Sequence, residues 1–345
     1  MAEKVRTLIV DDSAIMRKLI VDILKKDPEI EIIGQAVNGK EAIEKAKVLK
    51  PDVITLDIEM PEMDGISALK ILKKELPQTK IIMFSSLTQE GAKATIEALS
   101  LGAYDFVPKP STKSFLESVK KIENDLLPKI KGITSSKEIK SFKITPSQKL
   151  LKPGLFRILG IGVSTGGPQT LIEIFKGIPK NFPSPILIVQ HMPPLFTKQL
   201  ADRLDKISPL QVKEAEDGEA IKEGVVYIAP GDYHMEVVKE NTQKYIKLHQ
   251  GPPVNNCRPA VDVLFNSLAE IYNGSSLVLI LTGMGRDGAE GAKKVKLKGG
   301  GVIAQDAQTS VVFGMPRAVI EAGLADEVLS LSEIPKRLRE LFRCY

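Results

Sequence analysis

A serine, a histidine and an aspartate occupy three comparable places in this chain. Ser164 lies in Gly162-Val163-Ser164-Thr165-Gly166, a G-x-S-x-G that follows an apolar run and precedes a helical pattern. His191, one of only three histidines, stands where the next apolar run stops, and Asp287 lies in a Gly-rich loop after a third such run. A serine hydroxyl is a poor nucleophile near neutral pH. It needs a base to take its proton and a third group to orient that base. A different chemistry occupies the N-terminal third. Asp11, Asp12 and Asp57 each end or just follow an apolar run, Ser85 ends another, and Lys109 follows a last one. Three carboxylates meeting at one edge repel one another unless a cation neutralises them, and hard oxygen ligands suit Mg2+. A carboxylate beside Mg2+ and a lysine is set up to attack a phosphoryl group, because those charges offset its repulsion from phosphate. Asp57 is then the candidate phosphoacceptor, with Lys109 as its cationic partner, Ser85 as a donor to the phosphoryl group and Phe106 as a packing switch.

Each residue has a plainer reading. Serine in a Gly-rich turn is ordinarily a cap, a single histidine is more often a satisfied buried one, and aspartate is a good helix N-cap. The coincidence of three chemically matched residues at three strand ends favours catalysis. So does an acidic pair, an acid, a serine and a lysine at four others. His234 and His249 fall in a differently patterned region and read as structural or surface residues. Arg258 and Arg286 read as ordinary salt-bridging residues. No His, Cys and carboxylate spacing suggests zinc, and Cys257 and Cys344 are too few for a disulfide framework or a metal site.

These residues need a frame that brings strand ends together. Residues 5–10, 30–37, 52–56, 80–84 and 104–107 read as strands alternating with helical patterns, which implies βαβ crossovers and a parallel sheet. From about Pro128 to Pro153 the apolar periodicity fades and Ser, Lys and Pro accumulate, as in a semi-flexible linker. The alternation resumes with strands at 156–163, 185–190, 276–281 and 301–304, and a helix at 260–272. Residues 211–249, including 225–228, suggest antiparallel hairpins inserted into the α/β frame. The expected division is a first domain over 1–125, a linker over 126–152 and a second domain over 153–345.

Charge supports that division. The net charge of +5 over 345 residues is concentrated in residues 126–152, with 7 basic and 1 acidic side chains. Residues 1–125 carry 19 basic and 21 acidic, and residues 153–345 carry 22 and 21. Neither globular part has the charge of a nucleic-acid reader. No apolar stretch is long enough to span a bilayer and no signal peptide is readable, so a cytoplasmic monomer without membrane insertion is expected.

Two rival readings weaken on spacing. Gly160, Gly162 and Gly166 give G-x-G-x-x-x-G rather than a dinucleotide fingerprint, and the next strand ends in Gln190-His191 without a ribose-binding acid. The usual α/β-hydrolase order is Ser, acid, His, whereas here it is Ser164, His191, Asp287.

Residues 4–122 resemble the receiver domain of two-component response regulators. The resemblance rests on Asp11-Asp12, on Leu56-Asp57-Ile58-Glu59-Met60-Pro61-Glu62-Met63-Asp64-Gly65, and on Ser85, Phe106 and Lys109. Residues 155–343 resemble the methylesterase domain of the CheB family. There the matching stretches are 160–168, Gln190-His191-Met192, 227–231, Arg258-Pro259 with 261–265, and 281–288. The resemblance implies a flavodoxin-like five-stranded receiver followed by a doubly wound α/β domain, mostly parallel, with an antiparallel hairpin insertion. It implies a triad of Ser164, His191 and Asp287, with backbone N–H groups of Thr165 and Met284 as oxyanion donors and no cofactor in the esterase. It implies Mg2+ held by Asp11, Asp12 and Asp57. The implied substrates are glutamate methyl esters and glutamines of methyl-accepting chemoreceptors, with a chemotaxis histidine kinase as phosphodonor. The receiver is expected to cover the Ser164 cleft until Asp57 is phosphorylated.

Overall fold

In a computed structural model the described residues are 4–110, 115–138 and 151–344. The chain divides into two compact units, Met1–Glu138 and Ile139–Tyr345.

In the first unit β1 (Val5–Val10), α1 (Ala14–Leu24), β2 (Ile30–Ala36), α2 (Gly39–Leu49), β3 (Val53–Asp57), α3 (Gly65–Glu75), β4 (Lys80–Ser85), α4 (Gln89–Ser100), β5 (Asp105–Pro108) and α5 (Phe115–Glu138) follow in order. The strands pair in parallel as β2-β1-β3-β4-β5. Every residue of β3 is buried, as expected of a strand covered by helices on both faces. Helices α1 to α4 start at Ser13, Asn38, Asp64 and Thr88, and each cap side chain accepts the N–H three residues on. The order reverses between β1 and β3, whose carboxyl ends carry Asp11, Asp12 and Asp57.

Helix α5 runs through Pro128 to Glu138, beyond the boundary at 125 read from the sequence. Leu126, Ile130 and Ile133 keep a helical i, i+4, i+7 spacing and are buried. This apolar stripe is sparse among lysines, which is why the periodicity reads as fading. Residues 139–150 of the expected linker lie outside the described residues.

The second unit contains β6 (Ile158–Val163), α6 (Gly167–Gly177), β7 (Ile186–Gln190), α7 (Phe196–Ile207), β8 (Gln211–Glu214), β9 (Val225–Ile228), β10 (His234–Glu240) and β11 (Gln243–His249). It continues with α8 (Val261–Tyr272), β12 (Ser276–Ile280), α9 (Ala289–Leu297), β13 (Gly301–Gln305), α10 (Met315–Glu321), β14 (Glu327–Leu329) and α11 (Ile334–Leu341). Seven strands form a parallel sheet in the order β14-β13-β12-β6-β7-β9-β8, and β10 pairs antiparallel with β11 apart from it. Val225–Ile228 therefore differs from its reading as a hairpin strand. It lies parallel between β7 and β8, with Val226, Tyr227 and Ile228 buried. A short apolar run looks the same in either setting.

Gly160 and Gly162 explain the resemblance to a dinucleotide fingerprint in packing terms. A Cβ on Gly160 would come within 2.5 Å of Leu268, and one on Gly162 within 2.3 Å of Val261. The glycines let α8 lie directly on the central strand, which sets the position of that helix's first turn. No helix among the described residues is long and apolar enough to cross a membrane.

If α5 is part of the first unit's core, Ile130→Ala in the full chain should destabilise that unit by about 2–5 kcal/mol. Denaturant unfolding followed by amide hydrogen exchange on residues 4–110 would measure this. No loss would make the segment beyond 125 a passive connector.

Candidate active site and phosphoacceptor pocket

Ser164 follows β6, His191 follows β7 and Asp287 lies in the loop between β12 and α9. The three strands are adjacent, with β6 in the middle. The chain moves outward from β6 on one side and from β12 on the other, so the residues gather at the switch point of a parallel sheet.

His191 Nε2 is 2.8 Å from Asp287 Oδ2. The Asp287 carboxylate is only 3% exposed. It accepts hydrogen bonds from Val261 N at 2.6 Å, Asp262 N at 3.1 Å, Asn255 Nδ2 at 2.8 Å and Gly288 N at 3.0 Å. Val261 and Asp262 are the first residues of α8, whose own N-cap, Ala260, supplies no side-chain acceptor. Asp287 therefore caps α8 from another loop. Burial pushes the Asp287 pKa up, but His191 and these donors outweigh it and hold the group below the ordinary carboxylate range. Neighbouring Asp262 goes the other way. Its own burial, with the Asp287 charge added, raises it. For His191, burial disfavours the imidazolium, but the hydrogen bonds with Asp287 and Cys257 prevail and raise its pKa.

The Ser164 turn is tied to both neighbouring strands. Ser164 N donates to Thr282 O at 3.0 Å, Thr282 Oγ1 donates to Thr165 O at 2.9 Å, and His191 N donates to Val163 O at 3.1 Å. Gln190 Nε2 donates to Ser164 O at 2.9 Å, from a buried side chain. Gly283 packs against this turn so closely that a Cβ there would lie 2.8 Å from Ser164 Cβ and 2.4 Å from Met315 Sδ. Helix α6 begins at Gly166 with no side-chain cap. Among the described residues, neither Thr165 N nor Met284 N donates an intrachain hydrogen bond. No hydrogen bond joins Ser164 Oγ to His191 among the described residues. Instead, Cys257 Sγ lies 3.7 Å from His191 Nδ1. The structure thus brings His191 and Asp287 into contact and Ser164 to the same edge. In the absence of substrate such serine–histidine contacts are often loose.

Gln190 and Cys257 were given no role at this site from the sequence, and Asn255 was not named. Nothing in their local spacing signals them, because their partners are distant in the chain. His234 is buried, accepting from Ala260 N and bonded to Pro252 O, and His249 pairs with Glu236 at 3.4 Å. Arg258 is occupied by Asp232 and the Gly251 carbonyl, and Arg286 is exposed with Glu290 at 3.8 Å.

In the first unit Asp11 and Asp57 are buried and Asp12 is exposed, and carboxylate oxygens of the three lie within 4.8 Å of one another. Lys109 Nζ lies 2.6 Å from Asp57 Oδ2 and 3.5 Å from Asp11 Oδ2. Both oxygens nevertheless lack a hydrogen bond of good geometry, so Lys109 acts on them as a nearby charge. Burial raises the Asp57 pKa to about 6 against the pull of Lys109, and Asp11 is raised for the same reason. Two orphaned, buried carboxylate oxygens beside an exposed third acid fit a hard divalent cation. Ser85 Oγ donates to Gly91 O at 3.0 Å, directed at α4 rather than Asp57. Phe106 is buried, and Lys129 of α5 lies over its ring at 5.4 Å and donates to its carbonyl.

Fold and site together define a receiver-type unit joined to an α/β unit with a serine, histidine and aspartate at its switch point. Comparison with known proteins identifies both. Residues 7–120 match the family model of the response regulator receiver domain, and residues 159–338 match that of CheB methylesterase. A Thermotoga maritima protein named protein-glutamate methylesterase/protein-glutamine glutaminase is 50% identical, covering 98% of each chain. A Pyrococcus abyssi protein of the same name is 46% identical over 96% of this chain and 92% of its own. The crystal structure of the Thermotoga maritima CheB methylesterase catalytic domain is 55% identical, with a TM-score of 0.53, covering 54% of this chain and 98% of that one. The chain belongs to the CheB methylesterase family.

The Asp57 shift has a sign that can be checked. Between pH 3.8 and about 6 the folded receiver holds a proton that the unfolded chain has released, so stability falls as pH rises through that window. In EDTA the first unit should lose stability from pH 4 to 6. Saturating Mg2+ should recover about 1–3 kcal/mol at pH 7 and flatten the decline, and Asp11→Asn should reduce that recovery. Thermal unfolding in Mg2+ and in EDTA measures both.

Proposed function

We propose that this chain is a protein-glutamate methylesterase and protein-glutamine deamidase acting on chemoreceptors, with residues 153–345 as its catalytic domain and the first unit, through Glu138, as its receiver. The observation that carries this reading is the His191–Asp287 pair, held by a saturated carboxylate beside the Ser164 turn. Ser164 Oγ attacks the carbonyl carbon of a glutamate γ-methyl ester. His191 accepts the hydroxyl proton at Nδ1, the nitrogen not engaged by Asp287, and returns it to the methoxy oxygen as methanol departs. Asp287 fixes the Nε2–H tautomer and steadies the imidazolium. The unengaged N–H groups of Thr165 and Met284 bind the oxyanion, the first of them at the uncapped start of α6. Water, deprotonated by His191, then cleaves the acyl-serine to leave a glutamate carboxylate. With glutamine as substrate the same steps release ammonia.

The receiver unit makes this activity depend on phosphorylation. Asp57 takes a phosphoryl group from a chemotaxis histidine kinase. Asp11, Asp12 and Asp57 would hold Mg2+, which offsets the charge of the incoming phosphoryl group. Lys109 stays beside that group, Ser85 leaves Gly91 to donate to it, and Phe106 repacks. The phosphorylated state is the more active one. The substrates are the cytoplasmic helices of receptors, and neither nucleic acid nor membrane insertion is involved.

Ser164→Ala should lower kcat for methanol release from methylated receptor by several powers of ten, about 10⁶ being the scale for a serine triad. Turnover near that of the unsubstituted chain would remove Ser164 from the chemistry. A small phosphodonor with Mg2+ should raise methanol release in the full chain, and Asp57→Asn should abolish that rise. An increase that persists in Asp57→Asn would place the control elsewhere.

A further inference from the structure

We propose that Cys257 and His191 form a binding site for a thiophilic divalent cation such as Zn2+, and that occupancy turns hydrolysis off. The Cys257 thiol has no part in the hydrolytic steps, yet it faces the one imidazole nitrogen those steps need. Its Sγ lies 3.7 Å from His191 Nδ1. In a tetrahedral zinc site, bonds of about 2.3 Å to sulfur and 2.0–2.1 Å to nitrogen place the two ligand atoms about 3.6 Å apart, so the pair already has the length of a coordination edge. A ring nitrogen of His191, Cys257 Sγ and a carboxylate oxygen of Asp287 lie within 4.8 Å of one another.

The surroundings hold this edge in place. His191 Nε2 is bonded to Asp287, which is the arrangement that orients a metal-ligating imidazole and raises its basicity. Cys257 sits in a tight turn closed by paired hydrogen bonds with Val254, at 2.9 and 3.1 Å. Asn255 in that turn donates to Asp287 at 2.8 Å. Thiol and imidazole are thus referred to the same buried carboxylate. Cys257 and His191 are both partly exposed, so an ion in solution can reach them.

Binding forms Cys Sγ–metal and His Nδ1–metal bonds, releases the thiol proton to solvent and leaves the remaining positions to water. Thiolate and imidazole select Zn2+ over Mg2+, whereas the all-carboxylate set of Asp11, Asp12 and Asp57 has the opposite preference. The two cations therefore do not exchange roles. With Nδ1 coordinated, Ser164 has no base. Only this inhibitory consequence rests on the hydrolase reading. The binding site rests on the geometry.

The test uses the full chain in excess Mg2+, with Co2+ as a spectroscopic probe and Zn2+ as the inhibitor. One equivalent of Co2+ should give a thiolate-to-metal charge-transfer absorption that Zn2+ displaces, that Cys257→Ser removes and that Cys344→Ser retains. Zn2+ should slow alkylation of Cys257 by iodoacetamide in the unsubstituted chain, with Cys344 unaffected, a readout that needs no variant to fold. Methanol release should fall by about 10²-fold or more at saturation, the scale of general-base catalysis, and return on adding a zinc chelator. In Cys257→Ser the ratio of rates with and without Zn2+ should stay near one. Absence of the charge-transfer band, or unprotected alkylation of Cys257, overturns the site. A band with undiminished methanol release overturns the inhibition. A hydrolase reading that fails shows itself separately, as turnover surviving in Ser164→Ala.

Discussion

The second unit depends on one shared interaction, the Asp287 carboxylate lodged against the first turn of α8. A helix start has N–H groups without partners, and a buried carboxylate without donors takes up a proton rather than stay charged. Each supplies what the other lacks. Val261, Asp262, Asn255 and Gly288 donate to Asp287, so it keeps its charge despite its burial and can hold His191 by Nε2. The place of α8 follows from Gly160 and Gly162, where the absence of side chains lets the helix settle on β6. A packing decision in the central strand thus fixes the orientation of an imidazole one strand away. Asp262 beside it is shifted the other way, raised by its own burial and by the Asp287 charge.

The receiver places its carboxylates at the same topological position and treats them in the opposite way. Asp11 and Asp57 also stand at the carboxyl ends of strands where the order reverses. There a buried oxygen on each is left without a hydrogen bond, with only the Lys109 charge nearby. The Asp287 carboxylate is surrounded by fixed donors, which holds it in one charge state, whereas Asp11 and Asp57 are left short of donors, a setting that fits a hard divalent cation. Ser85, bonded to Gly91, and Phe106, buried under Lys129, are likewise engaged elsewhere in the structure.

Much of this was legible in the sequence because it is local. Apolar runs ending in Asp11, Asp57, Ser164 or His191 mark strand ends directly. What was not legible depends on distant partners. Asp287 was legible as the group to orient His191, but its plainer reading, a cap for the helix that follows, missed the partner: it caps α8, which begins 26 residues earlier in the chain. Cys257 is 66 residues from His191, a separation no spacing rule for metal ligands covers. Gln190 looked like a missing ribose acid, whereas its amide ties the Ser164 turn to β7. Val225–Ile228 and the end of α5 were misjudged because a short or sparse apolar pattern does not say what will cover it.

The strand order also accounts for which imidazole nitrogen meets the acid. Asp287 enters from the loop after β12, His191 follows β7, and β6 lies between them. Two strand spacings amount to about 10 Å, so a histidine that must reach the far loop has to extend its outer nitrogen, Nε2, across the Ser164 turn. The inner nitrogen, Nδ1, close to the His191 backbone that bonds to Val163, then faces the nearer groups. In the commoner serine triad the acid holds Nδ1 and the serine meets Nε2. The reversal here needs no special property of the imidazole. It follows from placing the Ser164 turn on the middle strand of three, and it leaves Nδ1 open on the side where Cys257 stands.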